Sequence, residues 1–250
     1  MKSKTPKHRA YMLRTCASDM SAYGGFIWPK EGIVVCPDWD PSPECGHGLH
    51  GLLWGEGDSD LLDWSNGSQW LVVGIEKWVE IGGKIKTPCG DVVYCGDMQG
   101  AAALLVSLGA DPAKCVGGTS TSGYRGTSTS GYRGTSTSGD GGTSTSGFRG
   151  TSTSGYGGTS TSGDGGTSTS GDWGTSTSGN RGTSTSGDRG TSTSGDGGTS
   201  TSGDGGTIVI QYYDAAANRY RLKVGYIGED GLKANTAYRL EGDKFVEAKK

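Results

Sequence analysis

The chain lacks any stretch approaching the roughly 20 consecutive apolar residues of a membrane span. Its start also lacks the apolar core of a secretory signal. A cytoplasmic or virion-associated location and reduced thiols are therefore the expectation. Large apolar side chains almost vanish from residues 118–205, which removes the usual compensation for chain entropy there. Strong charge of one sign is missing as well. The net charge is −3 and the isoelectric point about 5.6, which argues against a nucleic-acid partner recruited by charge. The basic start (Lys2, Lys4, Lys7, His8, Arg9 and Arg14) is too short to alter that balance.

What is present is repetition. Eleven units of Gly-Thr-Ser-Thr-Ser-Gly-x-x run without a gap from Gly118–Arg125 to Gly198–Gly205. A fixed period is the mark of a solenoid or array. Thr-Ser-Thr-Ser is a short β-prone run with glycine at both ends. Side chains alternate across a strand, so the threonines share one face and the serines the other. Eight residues are too few to close a coil. Two units, strand-turn-strand-turn, make a flattened coil of sixteen residues. The expected fold is mainly β, with a β-solenoid of about six such coils stacked about 4.8 Å apart.

The end of the array orients its faces. Thr207-Ile208-Val209-Ile210 keeps the register, with isoleucine in the serine places. A last coil needs an apolar plug, so serine points inward and threonine outward. The composition also suits a flexible Gly/Ser/Thr linker, but the register-preserving ending favours order. Outward Thr119, Thr121, Thr127, Thr129, Thr135, Thr137 and their successors then form a grid of hydroxyls and methyls, about 6.8 Å by about 4.8 Å.

The seventh and eighth places of each unit fall at the turns, and aromatic residues concentrate in the first five units. Tyr132 and Phe148 lie on one edge, Tyr124 and Tyr156 on the other. With Arg125, Arg133, Arg149 and Trp173 they make candidate contact edges for association. Asp-Gly turns do not match calcium-binding nonapeptide solenoids, because the period is eight and no large apolar residue follows the aspartate.

The ends differ from the middle. Residues 1–116 contain all six cysteines and six of the seven tryptophans. Trp70–Ile75 and Asp91–Cys95 read as strands, and Ala101–Leu108 as a helix begun near Asp97 and stopped at Gly109. The expected organisation is a small α+β domain over 1–116, the solenoid over 117–210, and a β-hairpin cap over 211–250. Glu229-Asp230-Gly231 and the run around Gly242 read as hairpin turns.

Three stretches carry a family resemblance: Glu44–Leu52, Trp70–Ile75 and Pro88–Cys95. Tyr220–Gly231 and Tyr238–Glu247 continue it in the cap. With these, the chain resembles uncharacterised bacterial and phage octapeptide-repeat proteins, which have an N-terminal domain of unknown function and a C-terminal β cap. That resemblance implies no activity. The threonine rows also resemble the Thr-x-Thr β-solenoids of ice-nucleation and antifreeze proteins, which implies an ice-facing array. The longer consensus of the ice nucleators is absent.

In the N-terminal domain, Cys45-x-His47-x-x-His50 with Cys36 nearby offers metal-ligating residue types, although its spacing departs from zinc pairs. Cys36 or Cys45 with His50 offers a nucleophile and base by type alone. Cys89 and Cys95 are expected on adjacent strands as thiols. Glu56, Asp58, Asp60 and Asp63 read as solvated or helix-capping groups. No cofactor is expected. The leading functional expectation is a rigid, self-associating scaffold without nucleic-acid or membrane partners. The second is a surface-binding module for ice or a polymer such as glycan. The third is an enzymatic or metal-binding activity in residues 1–116.

Overall fold

The computed structural model describes residues 8–248, so Lys2, Lys4 and Lys7 of the basic start lie outside the described residues. The chain divides into two compact units, Met1–Gly118 and Thr119–Lys250.

In the first unit, alternating and continuous apolar runs build a seven-stranded sheet. Its order is Gly32–Val35, Cys89–Gly96, Gln69–Ile75, Ala10–Cys16, Leu49–Leu53, Ile85–Thr87 and Val79–Glu80. Every pairing is antiparallel. The central strands Ala10–Cys16 and Gln69–Ile75 are buried almost throughout, as expected of strands covered on both sides. The helix Met98–Leu108 packs on this sheet through Ala101, Ala102 and Leu105. The Asp97 side chain accepts from the Gly100 amide, and Gly109 closes the helix with φ near 120°. These are the start and stop signals legible in the sequence. The other face packs Met12, Cys16, Leu71 and Val73 against Met20, Trp28 and Val34.

Cys89 and Cys95 lie on one strand, not on adjacent strands. The run Asp91–Cys95 is a single extended segment that pairs with Gln69–Ile75. All six cysteines are free thiols.

The second unit is a β-solenoid. Successive octapeptides alternate between two parallel sheets, and each strand pairs with the strand sixteen residues away. Six parallel rungs stack on each side, from Thr119–Thr121 to Thr199–Thr201 and from Thr127–Ser130 to Thr207–Asp214. The register is unshifted, threonine over threonine and serine over serine.

The parallel stack ends in antiparallel pairing. Thr207–Asp214 turns back as Arg219–Tyr226, and Tyr238–Glu241 joins the other sheet beside Ser200 before pairing with Lys244–Glu247. Ile208, Ile227, Leu232 and Tyr238 form the apolar plug, with Ala234 and Phe245 against it. The hairpin about Gly242 is present as expected. Glu229-Asp230-Gly231 is a turn, but it leads into an irregular run rather than closing a hairpin. The long hairpin is made instead at Ala215–Asn218. Its strand begins inside the last repeat register, so the repeat itself conceals where the cap begins. Among the described residues, no helix is long and apolar enough to cross a membrane.

Candidate functional site

The interior of the solenoid determines what its surface presents. Serines from Ser128 onward are buried, several at 0 % exposure. Serine is small enough for two sheets to meet closely, but each buried hydroxyl needs a partner. The Ser136 hydroxyl donates to the Thr145 carbonyl at 2.6 Å and meets the Ser130 hydroxyl at 3.0 Å. Ser160, Ser168 and Ser176 repeat the same pattern. Each such bond contributes about 0.5–1.5 kcal/mol net. The buried serine hydroxyls without a partner include Ser138 and Ser144, Ser146 and Ser152, and Ser178 and Ser184. Each of these pairs has the six-residue offset of the bonded pairs.

With serine inside, threonine is outside. One face carries Thr119, Thr121, Thr135 and Thr137, continuing to Thr199 and Thr201. The opposite face carries Thr127 and Thr129 and ends with Val209 beside Thr193. The threonines named from the sequence are thus split between two faces. Each face is two columns wide and six rungs tall, threonine throughout except Val209 on the last rung of the second, and none of the threonines is buried. Parallel in-register stacking gives a rung spacing of about 4.8 Å. The result is a regular, rigid grid of methyls and hydroxyls.

The turns form two edges. Tyr124, Arg125, Tyr156 and Trp173 share one edge, and Tyr132, Arg133, Phe148 and Arg149 the other. The Tyr132 and Phe148 rings stack with centroids 5.6 Å apart. Arg125, Arg133 and Arg149 each lie over the ring just before them. Arg189 lies over Trp173 of the preceding coil at 5.0 Å. The eighth place of every unit has positive φ, including Arg125, Arg133, Arg149, Trp173, Arg181 and Arg189. Only glycine adopts that conformation without strain. Composition shows that glycine alternates there with arginine and tryptophan, but not that the backbone is left-handed in both cases.

Aspartates at the seventh place bond to backbone. Asp140, Asp164, Asp172 and Asp188 each accept the amide of the residue sixteen further on, at 2.8–3.0 Å. Asn180 does the same for Asp196. These ladders tie one coil to the next.

In the N-terminal unit, Cys36, Cys45 and His47, three of the residues singled out for metal or nucleophilic chemistry, have other partners, while His50 Nε2 is buried without one. His47 Nδ1 is 2.9 Å from an Asp38 carboxylate oxygen. The Cys45 thiol is 3.2 Å from Lys84 Nζ. The Cys36 thiol donates to the other oxygen of Asp38, and burial, before any other cause, raises its pKa. His50 is partly buried and pushed down to about 4, first by burial and then by Lys84, Arg14 and Lys86. A Cys36 thiol raised by burial is not an activated nucleophile. Among the described residues, no three His, Cys, Asp or Glu side chains converge as metal ligands. Asp58 caps the short turn Ser59–Leu61 and Asp63 accepts the Ser65 amide.

Fold and site together define a β-solenoid with two in-register threonine faces, two decorated turn edges and an apolar plug at its end. The proteins it is similar to are ice-nucleation proteins. It is 34 % identical over 111 residues to ice nucleation protein InaU of Pantoea ananas, covering 43 % of this chain and 11 % of that protein. It is 36 % identical over 118 residues to an ice nucleation protein of Pseudomonas syringae pv. syringae, covering 46 % and 10 %. A third, from Xanthomonas campestris pv. translucens, is 38 % identical over 93 residues, covering 36 % and 6 %. The matched region is about a tenth of the length of the first two. No family model matches the chain, and no solved structure matches it.

Proposed function

We propose that the solenoid binds ice through its outward threonine grid. The observation that carries this is the unshifted threonine ladder on both faces. The relatives bearing the name ice nucleation protein support it. Each threonine contact with ordered water is weak. A rigid array spends its conformational entropy on folding, before the surface is met, so many weak contacts add up. The methyls give the face apolar area, and the hydroxyls give it fixed hydrogen-bonding positions. Such a surface works where ice forms, which separates this proposal from the cytoplasmic or virion-associated expectation.

The scaffold reading has less support. The faces present no large apolar area for a protein partner. Lateral association through the turn edges remains a second reading, favoured by the exposed Tyr124, Phe148, Tyr156 and Trp173. Sedimentation of the Tyr124→Ser/Tyr156→Ser double variant tests it. Unchanged mass would remove these side chains from any assembly.

The main test is ice-affinity partitioning combined with recrystallisation assays. Thr161→Tyr with Thr177→Tyr roughens one face and Thr153→Tyr with Thr169→Tyr the other, with tyrosine keeping β propensity. Changing both faces together is expected to lower ice adsorption by about tenfold or more, roughly 1.4 kcal/mol. Full adsorption with both faces roughened and circular dichroism unchanged would sink the proposal.

A further inference from the structure

The central strand Ala10–Cys16 contains a residue that its surroundings do not explain. Met12 and Cys16 face the apolar cluster with Leu71, and all three are buried. Arg14 lies between them at the same side-chain period and pairs in register with Leu71. A guanidinium thus occupies a place where the alternation calls for an apolar side chain. Its Nη1 donates to the His50 carbonyl at 2.8 Å and the group stacks over Trp28 at 4.9 Å. Its Nε is buried without a partner. The thiol of Cys16 interacts with the guanidinium, but burial is the largest influence on it and raises its pKa, so a neutral thiol rather than a carboxylate faces Arg14. Among the described residues, no carboxylate is paired with Arg14.

Arg14 borders a cavity of about 800 Å³ whose wall also includes Phe26, Trp28, Leu49, His50 and Lys84. That size falls within the range of small-molecule sites. Asp38 is on the wall too, and its carboxylate already accepts from the Cys36 thiol and contacts His47. A partly buried cation without a counter-ion is unfavourable. A cavity with a cation, a second cation in Lys84 and flat apolar walls provides for both parts of an anionic organic molecule.

We infer that this cavity binds a small organic oxyanion with a flat apolar body, its head on Arg14 and its body against Trp28 and Phe26. The site lies wholly in the N-terminal unit and is independent of the threonine faces.

The test is isothermal titration of the full chain with benzoate, phenyl phosphate and inorganic phosphate. At least one aromatic probe is expected to bind saturably, and which one identifies the head group as carboxylate or phosphate. Inorganic phosphate is expected to bind about tenfold more weakly than that probe. Arg14→Met, which restores the apolar pattern, is expected to weaken the aromatic probe by at least about tenfold while leaving the thermal midpoint equal or higher. Should that variant fail to fold, Lys84→Gln carries the test with a loss in the same direction. No heat from any probe, inorganic phosphate binding as tightly as the aromatic probes, or undiminished binding in the variants would each overturn the inference.

Discussion

At the residue scale, the eighth place of the repeat shows how a surface feature is bought with backbone strain. Arg181 holds φ near 53°, where glycine stands in five other units. A non-glycine residue there costs roughly 1–2 kcal/mol, partly offset by the greater chain entropy glycine loses on folding. Arg181→Gly is therefore expected to stabilise the solenoid by about 0.5–1 kcal/mol. Arg181→Ala should give no such gain, because it keeps the strain. Urea midpoints of the two variants separate backbone from side-chain effects.

His50 gives a pH dependence with a definite sign. Its folded pKa is lowered from 6.5 to about 4. Between those values the unfolded chain binds a proton that the folded chain does not, so stability falls as pH drops through this window. Below about 4 the folded state protonates as well and the His50 contribution levels off. The lowered carboxylates Asp38 and Asp63 act in the acid range below the His50 window. A His50→Gln variant should flatten the slope of thermal midpoint against pH between 6.5 and 4. An unchanged slope would assign it elsewhere.

At the scale of elements, the coil is the unit and the octapeptide is half of it. Neighbouring octapeptides lie in different sheets, while those sixteen residues apart pair. Removing Gly166–Trp173 alone would move every later strand to the opposite sheet. The aspartate ladder would then join mismatched turns, such as Asp164 to Asp188. Removing Gly158–Trp173 takes out one whole coil and preserves all pairings. The single-unit deletion is expected to lower the thermal midpoint and expose the cap to protease, and the two-unit deletion to do neither strongly. Equal behaviour of the two deletions would contradict the two-unit coil.

At the scale of the whole molecule, the solenoid behaves as a one-dimensional stack in which each coil meets only its neighbours. Stability and face area therefore both grow with coil number. Inserting a second copy of Gly158–Trp173 adds one rung to each threonine face without altering the cap. It should raise ice adsorption relative to the parent chain, while an insertion bearing tyrosine in its threonine places should not. Recrystallisation inhibition at matched concentration reads this difference.

The amino-acid sequence by itself determined the solenoid, its two-unit coil and the serine-in, threonine-out orientation. These follow from local rules: a period, an alternation, and isoleucine in the serine places of Thr207–Ile210. The helix Met98–Leu108 was legible for the same reason, through Asp97 and Gly109. Tertiary structure alone decided what depends on partners distant in sequence. It placed Cys89 and Cys95 on one strand, set the hairpin at Ala215–Asn218, and directed Asp140, Asp164, Asp172 and Asp188 to amides one coil away. It also gathered Arg14, Trp28, His50 and Lys84 around one cavity. Periodicity reports which way a side chain points, but not what folding brings to meet it.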